Sequence, residues 1–241
     1  MDDGLTRAAR RAQSRPRSRT GLVIGGALVV IVAVAVGAVL LLSGGSSSDD
    51  SASSGGDTSA SRDVANTKIS LAAGDVTAES TGPPVTVSPQ QTAGVIDVVG
   101  DYIETAIVKP LRTGQPAGDL GSVFGAAALA RATGVDRAVL VDEGIPKVTG
   151  DLTVSAKPVT ITGLGDQDGH LVAIAATVDL DVTATPVGKA LPLHIVRGGS
   201  FVLTPDASGA WRVSAYQVLV TRDGGGIDAP TTTAATSGPA R

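Results

Sequence analysis

The sequence predicts an α+β fold behind an N-terminal transmembrane helix, with further helices packed on one face of a curved antiparallel sheet. Three observations predict it. Gly21 to Leu42 is an uncharged apolar run. Val95, Ile96, Val99, Tyr102, Ile103, Ala106 and Ile107 recur at helical spacing. Val172, Ile174, Ala176, Val178, Leu180 and Val182 alternate at period two, the pattern of a half-buried strand.

The apolar run is 22 residues long, and at ~1.5 Å rise per residue it spans roughly 33 Å, enough to cross a hydrocarbon core of about 30 Å. Arg7, Arg10, Arg11, Arg15, Arg17 and Arg19 precede it, while Asp49, Asp50 and Asp57 follow. The positive-inside rule therefore puts residues 1–20 in the cytoplasm as a basic tail and the remainder outside the cell membrane, single-pass. A cleaved signal peptide has a shorter apolar region and a small-x-small cleavage site; this run ends in Leu40, Leu41 and Leu42 and reads as an uncleaved signal anchor. Gly21 with Gly25, and Ala33 with Gly37, have the spacing that lets two membrane helices meet as a homodimer. Small residues are also common in membrane helices with no such role.

Behind the anchor, residues 43–91 are expected to be a flexible linker, Ser, Gly, Asp and Ala at first and more mixed from Ile69. Such composition buries too little surface to offset the entropy of ordering. Residues 223–241 read as a disordered Gly, Thr, Ala and Pro tail. The packed domain is expected over 92–222, because all five aromatic residues lie between Tyr102 and Tyr216. Its first helix has Thr92 as candidate N-cap and Pro110 as its stop. A weaker helical pair covers Asp119 to Ala132 and Val135 to Glu143. Strands follow at Leu152 to Ser155, Val159 to Leu164, the long alternation, Leu191 to Val196, Ser200 to Thr204 and Trp211 to Arg222, with Gly198 and Gly199 expected to form a bulge or bend.

The chain has no cysteine, which excludes disulfides, a thiolate metal site and a lipoprotein anchor. Fourteen arginines against five lysines suggest a GC-rich bacterial genome. Residues 1–20 carry six Arg and two Asp, so the part outside holds thirteen basic and twenty-one acidic side chains. An acidic domain argues against nucleic acid as partner, since phosphate binding needs clustered Lys and Arg.

An amphipathic helix, a short helical pair, a long alternating strand and a terminal Gly209-x-Trp211-x-Val213 strand together resemble the NTF2-like α+β cone. With the basic tail, single membrane helix and linker, the layout is similar to the actinobacterial Mce-associated membrane proteins and to NTF2-like domains of conjugation-system membrane proteins. The resemblance implies a tethered module, and a cone able to enclose a pocket. Enzymes resembling ketosteroid isomerase place an Asp, His or Tyr inside such a pocket.

Weighed for that chemistry, the residues offer little. Asp97, Asp101 and Glu104 share the helix face opposite the apolar stripe, a solvated acidic face. Tyr102 lies on the buried stripe and is the one weak candidate for touching a ligand; a core tyrosine with a satisfied hydroxyl is the plainer reading. His170 follows a Gly-rich turn and His194 sits on a strand, neither at metal-ligand spacing. Asp166 and Asp168 resemble half a calcium loop without its remaining ligands. No catalytic set, metal site or cofactor motif is expected. The leading expectation is a membrane-anchored interaction or assembly module serving an envelope or transport complex, its partners the bilayer and an envelope protein. The alternatives are a binder of a lipid or small apolar molecule and a small ketosteroid-isomerase-like enzyme.

Overall fold

The computed structural model describes residues 69–225, 227 and 231–238. The expected spanning helix with Gly21, Gly25, Ala33 and Gly37, the basic tail, and residues 43–68 of the expected linker lie outside them. Among the described residues no helix is long and apolar enough to cross a membrane.

The fold is α+β: a few helices lie on one face of an open, curved and almost wholly antiparallel sheet. Its strands are β1 (Ala73–Ser80), β2 (Val148–Ala156), β3 (Val159–Gly165), β4 (Leu171–Pro186), β5 (Leu193–Pro205), β6 (Trp211–Gly224) and β7 (Thr231–Ser237), in the order β1-β3-β4-β5-β6-β7. β4 is long enough to hold two partners along one edge, β3 on its first half and β2 on its second. The chain passes between those partners at Lys157 and Pro158, where proline cannot donate to the ladder.

The second half of β4 has the predicted alternation, with Val178, Leu180 and Val182 buried while Asp179, Asp181 and Thr183 face water; in the first half Ala173 to Ala176 are all buried, Ala173 in a second apolar cluster with Leu164, Val202 and Ala215. β5 differs from expectation at Gly198 and Gly199, which continue the ladder unbroken; the register slips instead between Val202 and Leu203, opposite β6. A side chain at Gly199 would approach the Phe201 ring to 3.0 Å, so this glycine makes room for an aromatic, not for a bend.

The ordered fold also runs past both expected boundaries. Residues 73–80, assigned to the linker, form β1, parallel to β3, with the Thr77 and Thr162 hydroxyls 3.1 Å apart. Residues 231–237, assigned to the tail, form β7 on the edge of β6, with Thr221 and Thr232 paired in the same way. Composition misleads here because a polar, threonine-rich segment can pair at a sheet edge, where the backbone supplies the bonds and only one side is covered.

The helical layer starts earlier than expected. Helix α1 (Pro89–Ile103) is capped by Ser88, not Thr92: Ser88 accepts from the Gln91 N–H while the Gln91 side chain accepts from the Ser88 N–H, and Pro89 occupies the first turn. Pro110 does not stop the helix. The chain widens into a π-helical turn (Glu104–Val108) and continues as α2 (Lys109–Thr113), ending at Gly114 with φ 65°. Proline has no N–H for the carbonyl four residues back and its ring crowds that carbonyl, so a widened turn absorbs the fault. The helical pair is shorter than expected, α3 (Ala126–Thr133) and α4 (Arg137–Leu140).

Between β1 and α1 the segment 81–88 crosses the inner face of β3. Side chains added at Gly163 and Gly165 would come within 2.5 Å of Val87 and 2.6 Å of Val85. Gly163→Ala should therefore destabilise the protein by about 1–3 kcal/mol, the usual cost of overpacking, measured by chemical denaturation. An unchanged midpoint would show that the segment does not pack there.

Candidate functional site

Tyr102, the side chain the sequence nominates for a ligand, sits at the centre of the layer between helices and sheet. Four of the five aromatics meet there. The Tyr102 ring stands edge-on to Phe124 at 5.9 Å and tilted on Phe201 at 5.2 Å, and Phe124 meets Tyr216 edge-on at 5.7 Å. All four are 2 to 3% exposed. Phe124 is held by a short bridge to β6, where Gly125 N–H donates to Val213 O and Val213 N–H to Val123 O. Around Tyr102 the interior is filled by packed rings.

The Tyr102 hydroxyl is spent twice: it donates to the Leu140 carbonyl at 2.8 Å and accepts from Arg197 Nη1 at 3.0 Å. Burial raises its pKa above the ordinary value of 10.0, against the opposing pull of Arg197, so the phenol stays neutral and acts as a donor.

Arg197 breaks the apolar series on the inner face of β5. It projects inward between Ile195 and Phe201, is 4% exposed, and donates through Nη1 to the Val139 carbonyl and through Nη2 to Asp142 at 2.7 Å. One strand over, Arg222 of β6 reaches the same carboxylate: Nε donates to Asp142 Oδ1 at 2.7 Å and Nη2 to the Ala138 carbonyl. The register pairs Ile195 with Arg222 and Arg197 with Val220, so the two arginines are diagonal neighbours on one face. The Asp142 side chain is wholly buried between them.

Each group sits where local structure requires it. α4 is one turn long and leaves its carbonyls unpartnered; those of Ala138, Val139 and Leu140 are met by Arg222, Arg197 and Tyr102. The Asp142 N–H donates to the Ala106 carbonyl at 2.9 Å, the carbonyl that an α-helix would have bonded to the missing N–H of Pro110. A second clasp lies beside it: the Tyr216 hydroxyl donates to Asp136 Oδ2 at 2.7 Å, and Arg131 donates to both Asp136 oxygens and to the Thr236 carbonyl. Burial, then the hydrogen bond to Asp136, raise the Tyr216 pKa. Glu143 completes the set with a two-point pair to Arg137 at 2.6 and 2.7 Å, and that hydrogen bonding lowers its pKa. Residues 136–143 thus form a strap bolted across the inner face.

The other candidates lie elsewhere. Asp97 is exposed, and Glu104 stands beside Arg112 at 3.7 Å. His194 pairs with Asp181 at 2.9 Å on the outer face. Asp166, Asp168 and His170 bring their donor atoms within 4.8 Å of one another in the β3–β4 hairpin. Asp166 Oδ1 already accepts the Asp168 and His170 N–H groups, a side-chain-closed turn. Asp206 closes the β5–β6 turn in the same way and its pKa falls to about 2, chiefly through hydrogen bonds from Ser208.

Arg197, Arg222, Asp142 and Asp136 are not among the side chains that the sequence nominates. The signal for the arginines was strand phase, since counting by twos from Leu193 and Ile195 places position 197 inside. Nothing local marks Asp142 as their partner. Comparison of the chain with family models, with curated proteins and with solved structures finds no match.

Two outcomes follow from this geometry. Asp142→Ala, which strands two buried guanidinium groups, should cost about 3–5 kcal/mol, whereas replacing Asp142, Arg197 and Arg222 together by apolar residues of similar size should restore most of it. A loss below about 1 kcal/mol for the single variant, near the range of exposed pairs, would contradict the assignment. Both of the chain's tyrosines have raised pKa values. The folded state then holds these protons more tightly than the unfolded state, so their contribution is intact below pH 10 and is lost as pH rises through the raised values. Tyrosinate absorbance should appear together with loss of tertiary structure; a tyrosine titrating near its ordinary 10.0 in the folded protein would refute it.

Proposed function

We propose that this chain is a membrane-anchored, extracytoplasmic interaction module with an NTF2-like domain, an accessory subunit of an envelope or transport complex, similar in layout to the Mce-associated membrane proteins. The observation that carries the reading is the fate of Tyr102. The side chain that a ligand-binding or isomerase-like cone would aim into its pocket is instead packed among rings and held by Leu140 and Arg197. The buried acid, Asp142, is neutralised by two arginines and wholly covered, so it is not available for proton transfer. What the domain offers to the outside is surface: the edges of β1, β2 and β7, each without a second strand partner among the described residues, and grooves along the helices.

The absence of native cysteine makes a topology test direct. A single cysteine at Ser122, an exposed position, should react with a membrane-impermeant maleimide on intact spheroplasts, and one at Ser14 only after permeabilisation. The reverse pattern would overturn the orientation. Photo-crosslinkers placed at Val76, Val135 and Thr232 of the full chain in native membranes should yield discrete adducts with an envelope protein from at least one position. Silence from all three would count against an assembly role.

A further inference from the structure

Beside the edge strand β1, an open apolar groove of about 470 Å³ runs between that strand and helix α1. Leu71, Val76 and Ala73 form one wall, Ile96 and Ala93 the other, and Val87 part of the floor. Val76 is 43% exposed, one of few large apolar side chains left to water. β1 pairs only with β3, so its other edge has no strand partner among the described residues. An unpaired strand running beside a helix, with an apolar trough between them, is the geometry by which an extended peptide is taken up: its backbone extends the sheet and alternate side chains enter the trough.

The charges say which peptide. From Ile69 to Ile103 the chain carries Asp75, Glu79, Asp97 and Asp101 and no basic residue. Asp75 and Glu79 alternate with Val76 along β1, and Asp97 follows Ala93 by one helical turn. Asp75 and Glu79 thus line the face of β1 away from Val76 and Asp97 stands on the helix side, a rim that from Ile69 to Ile103 carries carboxylates and no basic side chain. Such a rim repels an anionic lipid surface and an acidic peptide, and it attracts a strand whose outward positions are Lys or Arg. The eight residues of β1 extend about 26 Å at ~3.3 Å each, so a partner segment of five to eight residues, roughly the usual strand length, fills the edge.

We infer that the β1–α1 groove is the docking site of the interaction module, and that its occupant is an extended segment of a partner protein alternating apolar with basic residues, added as a further strand on β1. The inference rests on the interaction reading above and names the surface and partner chemistry that reading leaves open.

The test uses the full chain in nanodiscs of zwitterionic lipid and a fluorescent peptide of about seven residues alternating lysine and valine, the strand length expected of an edge addition. Anisotropy should show saturable binding that weakens as salt rises, and amide exchange should slow in β1. A glutamate-valine peptide and a scrambled lysine peptide should bind at least about tenfold more weakly, a difference of about 1.4 kcal/mol. Val76→Arg, at an exposed position that leaves the core untouched, should lower affinity at least about tenfold, and the double change Asp75→Lys, Asp97→Lys should do the same; Thr232→Arg on β7 should not. Equal binding of all three peptides, binding unchanged by Val76→Arg and by the double charge change, or exchange protection outside β1 would each overturn the proposal. So would a second copy occupying β1, seen as concentration-dependent protection of that strand without peptide, or retention of lipid in place of peptide. The crosslinking experiment separates the two levels of inference: adducts from Val135 or Thr232 with Val76 silent would leave the assembly role standing and remove this site, whereas silence everywhere would remove both.

Discussion

Two arginines on neighbouring strands point into the interior and share the carboxylate of Asp142. Ionised groups brought out of water cost several kcal/mol each unless their charge and hydrogen-bonding positions are met. Asp142 therefore has to sit between Arg197 and Arg222, and that requirement fixes the strap of residues 136–143 against the sheet. The strap in turn brings the carbonyls at the end of α4 onto Tyr102 and the guanidinium groups, and it presents Asp136 to Tyr216. The aromatic cluster beneath is held from above by charge as well as packed from the sides.

The same strap explains the broken helix. A continuous α-helix through Pro110 would leave the Ala106 carbonyl facing a ring with no N–H to offer. The π turn relaxes the crowding and Asp142 supplies the missing donor from its backbone. One residue thus mends a helix through its N–H and balances two strands through its side chain. Buried pairs of this kind add little net stability over an apolar core, but they penalise every arrangement in which the partners fail to meet. Their contribution here is to choose a single position for the strap.

The elements written in periodicity were legible in the sequence: the α1 stripe, the alternation of β4 and the strands from Leu152 to Arg222. Periodicity reports which face is wet, so it is strong wherever one face is buried. It is silent for β1 and β7, whose side chains are small, polar and mostly exposed and whose order comes from backbone pairing with a strand distant in sequence. Ser88 and Gln91 have the spacing of a capping box, so the cap that stands in place of Thr92 is legible in the sequence. Tyr102 was rightly placed on the buried stripe, but the groups that use its hydroxyl come from positions 140 and 197, and no local pattern predicts that meeting. The inward phase of Arg197 was visible as a violation of alternation, and its meaning depended on Asp142.

The pairing of β1 with β3 joins threonines 85 positions apart, whereas β4, β5 and β6 follow one another through short turns. Closing a loop of that length costs more chain entropy than closing a hairpin, so the meander can form before β1 is paired. Until it is, the edge of β3 stands open. The first of the described strands thus has the most distant partner of any strand pairing in the sheet, and it is the one that covers the edge of β3.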